Sequence, residues 1–169
     1  MKVLETDRMI LRHFADEDAG FILELLNEPS FIQNIGDRKI RSQDGAKLYI
    51  KNGPLASYAQ HGFGLYLVAL KETGESIGMC GLIKRNTLDD VDIGYAFLPR
   101  FWSKGYAVES ALAVKNYGRD VIGLKRIVAI TDPQNAGSIR VLEKIGMKFE
   151  KMVKLSEDDI ELKLFAVDL

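Results

Sequence analysis

Three strand-like runs, residues 63–70, 76–84 and 91–98, are joined by connections of only five and six residues, and that spacing constrains the fold more than any other feature. Parallel neighbours need a crossover of about a dozen residues or more, so connections this short suit an antiparallel meander. Both are turn-rich: Lys71-Glu72-Thr73-Gly74-Glu75, and Asn86-Thr87-Leu88-Asp89-Asp90 after Arg85. Beyond Pro99 the apolar period changes from two to that of a helix, over residues 105–117. A short buried-type strand with Ile127-Val128-Ala129-Ile130 at its centre spans 126–131, and a compact helix follows at 136–145. Two last strands, about 147–155 and 160–168, close the chain.

The part before the meander reads as one strand over residues 3–14 and a helix over 16–26, where Phe21, Leu25 and Ile22, Leu26 repeat four apart. Asp16 is the expected N-cap and Pro29 the stop. A second helix falls within 42–60, broken or kinked at Gly53-Pro54. The order predicts a mixed α/β sheet of about seven strands with helices packed on it. The chain has 169 residues, 47% hydrophobic and 28% charged, which suits a single domain over residues 1–169.

Net charge is −1, so no global basic field draws in nucleic acid or an anionic membrane, and neither partner is expected. Cys80 is the sole cysteine, which excludes an internal disulfide and fits a reducing compartment. Glu5, Asp7 and Arg8 interrupt the apolar residues near the start, unlike a signal peptide, and no apolar run approaches a membrane span. A cytoplasmic location is the expectation. His13 and His61 lack metal-ligand spacing, so no metal is expected, and Cys80 reads as a buried strand residue.

Two segments carry the chemistry. In residues 91–109, VDIGYAFLPRFWSKGYAVE, a strand runs through a turn into a helix that opens on small residues. The first N–H groups of a helix have no internal partner and sit at the positive end of its dipole. Ser103, Gly105 and Ala107 are small enough to let a diphosphate approach them, with Lys104 as a nearby cation. The plain alternative is a tight turn and an ordinary helix start. The pattern is neither G-x-G-x-x-G nor a Walker loop. In residues 131–147, TDPQNAGSIRVLEKIGM, Asn135 stands at a helix N-cap with Ser138 three residues on. Capping explains Asn135 fully, yet both polar side chains fall at a strand end, where ligand sites commonly lie.

Together the two segments resemble the GNAT N-acetyltransferase superfamily, most closely its RimJ/RimL-type branch. The family's coenzyme loop, Gln/Arg-x-x-Gly-x-Gly/Ala, is matched by Arg100-Phe101-Trp102-Ser103-Lys104-Gly105, continuing Tyr106-Ala107. DPQNAGSIRVLEKIGM is similar to a segment of this branch, and DIGYAFLP and LRHF also fit. The resemblance implies a mostly antiparallel GNAT sheet, helices on both faces, splayed around an acetyl-CoA site. Ser103 departs from the pattern, which usually has glycine there. If that position needs a positive φ, serine costs on the order of 1–2 kcal/mol, although its hydroxyl can donate to a phosphate.

The resemblance further implies roles. The edge from Ile93 through Tyr95 to Phe97 would pair with the pantetheine arm of acetyl-CoA. Arg100 and the run Trp102, Ser103, Lys104, Gly105, Tyr106 and Ala107 would hold its pyrophosphate. Asn135 and Ser138 would lie near the thioester sulfur. Asp92 is the candidate base, acting through a water because aspartate is a methylene shorter than the family's frequent glutamate. Closing the Asp89-Asp90 turn is its equally open alternative. Ser138 is the first choice to stabilise the departing thiolate, with Tyr95 and Tyr106 as alternatives.

The expected reaction is transfer of acetyl from acetyl-CoA to a primary amine by direct attack. A peptide or protein α-amine, pKa about 7.7–8, is roughly a tenth neutral at pH 7, whereas a lysine-like amine of pKa about 10.4 is almost wholly charged. A weak base therefore suffices for N-termini. A small amine (polyamine, amino acid or amine antibiotic) is the alternative acceptor, and a non-catalytic acetyl-CoA sensor the alternative class. Monomer and homodimer both remain open.

Overall fold

The computed structural model describes residues 1–169. The chain opens with a hairpin, β1 (Lys2–Glu5) and β2 (Met9–Arg12), where one strand is expected over residues 3–14. Thr6 makes the turn: its N–H donates to the Met9 carbonyl at 2.9 Å, and its hydroxyl accepts from the Met9 N–H at 3.1 Å. A turn held by one threonine side chain leaves no glycine or proline for pattern reading to detect.

Asp16 does not cap the next helix. A single tight turn, Asp16–Asp18, precedes α1 (Ala19–Leu26). Asp18 accepts the Ala15 N–H at 2.9 Å and is gripped by both Arg12 guanidinium nitrogens at 2.8 Å. Pro29 follows the end of α1 and also starts α2 (Pro29–Asn34), sitting in the first turn where a missing N–H costs nothing. Ser42 caps α3 (Gln43–Ile50) by accepting the Gly45 N–H at 3.0 Å. Gly53-Pro54 does not halt the chain's coiling: a widened turn, Lys51–Leu55, accommodates Pro54 and leads into α4 (Ala56–His61).

The meander is β3 (Leu65–Leu70), β4 (Ser76–Ile83) and β5 (Asp92–Phe97). Then come α5 (Tyr106–Tyr117), β6 (Arg126–Thr131), α6 (Ala136–Lys144), β7 (Lys148–Val153) and β8 (Leu162–Asp168). The sheet has eight strands in the order β1-β2-β3-β4-β5-β6-β8-β7, one more than the expected seven because the first run is a hairpin. One face packs α5 and α6 over Tyr66, Cys80, Ile93 and Phe97; the other packs α1 and α3 over Leu67 and Met79. No helix is long and apolar enough to cross a membrane.

All neighbouring strands are antiparallel except β5 and β6. Those two run parallel and meet at a single pair, Asp92 and Val128, with the Val128 N–H on the Val91 carbonyl at 3.1 Å. By contrast β5 pairs with β4, and β6 with β8, along their full lengths. The sheet is therefore pinned at the start of β5 and splayed beyond it.

Candidate active site

The splay opens into the main cavity, of about 630 Å³. Tyr95, Ala96 and Phe97 of β5 form one wall. Trp102, Ser103, Gly105, Tyr106 and Ala107 form the next, and Asn135, Gly137, Ser138, Arg140 and Lys144 face them from around α6. The far end reaches Leu25 of α1 and Glu28, Ser30, Phe31 and Asn34 around α2.

Strand pairing decides which backbone groups face the gap. The Leu98 N–H bonds the Ile77 carbonyl at 3.0 Å, so by alternation residues 92, 94, 96 and 98 spend their groups on β4. Those of Ile93, Tyr95 and Phe97 point toward the splay. The indole N–H of Trp102 already occupies the Phe97 carbonyl, at 2.8 Å. What remains at Tyr95 and the Phe97 N–H is a strand edge facing the cavity, suited to pair with an extended amide-bearing ligand.

Ser103 has φ +61° and Gly105 φ +83°, so left-handed residues flank Lys104 just ahead of α5. Alternation of this kind turns successive N–H groups into an anion-binding concavity, and the free N–H groups of the first turn of α5 extend it. The condition posed for Ser103 is thus met: its backbone is left-handed, where an L-side chain is strained by about 1–2 kcal/mol. Glycine would remove that strain but lose about 0.5–1 kcal/mol to its own chain entropy. Ser103→Gly should therefore raise the melting temperature, by roughly 1–4 °C in calorimetry.

Two expected loop cations lie outside the cavity. The half-exposed Arg100 turns away to Glu24 at 2.9 Å and Glu75 at 3.6 Å. Lys104 does not line the cavity, and its carbonyl is bonded by Arg8 at 2.9 Å. Arg140 and Lys144, which motif reading passed over, line it instead and form no ion pair in the structure. Their four-residue spacing on one face of α6 is the signal that would have found them.

Asn135 caps α6, its side-chain oxygen accepting the Ser138 N–H at 3.2 Å. Tyr95 crosses the gap to the same point: its hydroxyl lies 3.0 Å from Ser138 Oγ and donates to the Ser138 carbonyl at 3.1 Å. Burial pushes the Tyr95 hydroxyl well above its ordinary range, so it stays a proton donor at neutral pH. Tyr106 also lines the cavity, with the Arg8 guanidinium 4.3 Å from its ring centre.

Asp92 stands at the closed end of the splay, 1% exposed. Burial raises its carboxyl to about 6, against the lowering pull of Arg85, whose Nε donates to it at 3.0 Å. That bond also ties the β4–β5 connection to the start of β5. Asp92 is not among the cavity's walls, although Ala96, on the same face of β5, is. Ile93 packs in the core beneath α5. Cys80 is fully buried and its thiol is pushed up to about 12, which leaves no thiolate at neutral pH.

Residues 8–148 match the family model described as an acetyltransferase (GNAT) domain. The chain belongs to the GNAT acetyltransferase family. It is 34% identical over 154 residues to the uncharacterized protein YkkB of Bacillus subtilis, covering 89% of this chain and 88% of that one. RimL, a ribosomal L7/L12 α-N-protein acetyltransferase solved with coenzyme A, superposes with a TM-score of 0.84 at 17% identity, over 100% of this chain and 98% of that one. The aminoglycoside acetyltransferase AAC(6')-Ib, also solved with coenzyme A, gives 0.76 at 18%, over 95% and 94%. At those identities the two structures speak for the fold: a mixed, mostly antiparallel GNAT sheet with RimL-like neighbours.

Proposed function

We propose that this GNAT acetyltransferase takes the acetyl group from acetyl-CoA and places it on the α-amine of a peptide or protein N-terminus, by direct attack in a ternary complex. The observation that carries the acceptor assignment is the charge of the cavity. Glu28 is the one carboxylate along its walls, set against Arg140 and Lys144. A polyamine or an aminoglycoside brings several positive charges and calls for an acid-rich pocket. A peptide N-terminus brings one, and about a tenth of it is already neutral at pH 7.

The chain's own groups supply the rest of this reading. Tyr95 and the Phe97 N–H offer the strand edge for the pantetheine arm, and the N–H groups from Ser103 to Ala107 the diphosphate cradle. As the thioester bond breaks and negative charge gathers on sulfur, the Tyr95 hydroxyl turns its proton from the Ser138 carbonyl to Ser138 Oγ, which frees the Ser138 proton to donate to the sulfur. Asp92 receives the amine proton through a water. RimL and AAC(6')-Ib, both of which bind coenzyme A on this fold, support the donor. The lone buried Cys80 fits action in the reducing cytoplasm.

The test is release of free coenzyme A from acetyl-CoA with short peptides of varied N-terminal residue, polyamines, amino acids and aminoglycosides. Release with peptides alone is the expected result. Preferential release with polyamines or aminoglycosides would overturn the acceptor assignment. Acetyl-CoA binding with no release from any acceptor would point to a sensor.

A further inference from the structure

The hairpin turn between β1 and β2 reaches across to the start of α5, about a hundred residues away, through four hydrogen bonds from Thr6 and Arg8. Arg8 Nη1 donates to the Lys104 carbonyl at 2.9 Å, and Nε donates to Glu109 Oε1 at 2.8 Å. The Arg8 N–H and the Thr6 hydroxyl both donate to the other Glu109 oxygen, at 3.2 and 2.5 Å. The guanidinium also lies over the Tyr106 ring. A Cβ added at Gly105 would meet Arg8 Nη2 at 3.2 Å, so the fork is packed against the loop itself. Burial works to raise the Glu109 carboxyl, but the bonds from Thr6 and Arg8 prevail and hold it below its ordinary range, a constant anchor at neutral pH.

We infer that Arg8 is a positioning residue for the coenzyme's diphosphate, acting through the Lys104–Gly105 peptide rather than by touching the phosphates. In a trans peptide the C=O and the following N–H point in opposite directions. Pinning the Lys104 carbonyl toward Arg8 therefore aims the Gly105 N–H the other way, on the side where Gly105 lines the cavity. The segment needs such a pin because Ser103 is strained in its left-handed conformation, Gly105 is free to rotate, and no side chain of the loop caps the start of α5. Arg8's own charge is matched by Glu109, so it acts through geometry and not as the diphosphate's counter-ion. Without the fork the peptide can rotate and turn a carbonyl toward the anion.

This rests on acetyl-CoA being the donor, so the experiment begins with acetyl-CoA binding to the wild-type protein. Arg8→Met keeps the hydrophobic stem and removes the fork. Its affinity for acetyl-CoA should fall about tenfold, with KM for acetyl-CoA rising in step and kcat changing less than twofold. With S-acetylpantetheine, which has no diphosphate, kcat/KM should match the wild type. Arg8→Lys, which keeps the charge but not the fork, should recover only part of the loss. Glu109→Gln, in which Arg8 is less firmly held, should show a smaller loss with the same dependence on donor. Unchanged acetyl-CoA affinity in Arg8→Met, or equal losses with both donors, would overturn the inference while leaving the functional proposal standing. Failure of the wild type to bind acetyl-CoA would remove both.

Discussion

Replacing Ala107 with aspartate is expected to weaken acetyl-CoA binding by two orders of magnitude or more while leaving the protein folded. Ala107 lies in the first turn of α5 and lines the cavity. A carboxylate in the first turn of a helix favours the helix by about 0.3–1 kcal/mol, because it faces the positive end of the dipole. The same place is where the diphosphate is proposed to bind. Two like charges about 4 Å apart repel by roughly 4 kcal/mol at an effective dielectric of 20, close to a thousandfold in affinity. Stability and binding thus move in opposite directions, which a general disruption of the loop cannot reproduce. Titration calorimetry with acetyl-CoA and thermal unfolding of the same sample measure both. Ala107→Asn, of similar size without the charge, should retain most of the affinity. Wild-type affinity in Ala107→Asp would mean that the diphosphate does not sit at the start of α5.

Asp92→Asn should show two effects that share one cause. The carboxyl is raised by burial from an ordinary 3.8 to about 6. A raised folded-state value means that this group stabilises the fold fully below about pH 4, and that its contribution is lost as pH rises through 6. The loss amounts to about 3 kcal/mol at pH 7. Asparagine does not titrate, so between pH 4 and 7 the stability difference should shift in the variant's favour by about that amount, read from denaturant unfolding at each pH. As the proposed base, Asp92 is competent in its charged form. Wild-type kcat/KM with a peptide acceptor should climb through pH 6, and again toward pH 8 as the α-amine deprotonates. The variant should lose the first limb and about a hundredfold in kcat, with acetyl-CoA affinity unchanged. A first limb that persists in Asp92→Asn, with kcat intact, would leave Asp92 as the tie that Arg85 draws between β4 and β5.

The strands and helices from residue 63 onward were legible in the chain because their signals are local. Short turn-rich links, the change of period after Pro99, and caps such as Asn135 and Gly146 each act within a few residues of themselves. The opening residues carry weaker local signals. Their hairpin turn depends on Thr6, and the helix start depends on Asp18 held by Arg12, a residue of β2. Side chains that reach to another element have no period.

The candidate site divides along the same line. By itself the sequence determined which segments form it, since a strand, a small-residue turn and a capped helix are short-range features with recognisable composition, and it raised the question of Ser103's backbone. Only the tertiary structure decided that β5 and β6 touch once and then part, because a single residue pair between strands more than thirty residues apart leaves no trace in either. It also turned Arg100 away to Glu24 and brought Arg140 and Lys144 to the cavity. Tyr95 reached Ser138, and Arg8 reached the loop ahead of α5, only through folding. The reach of a long side chain is set by the packing of distant elements, and that packing exists only once the whole sheet has closed around its core.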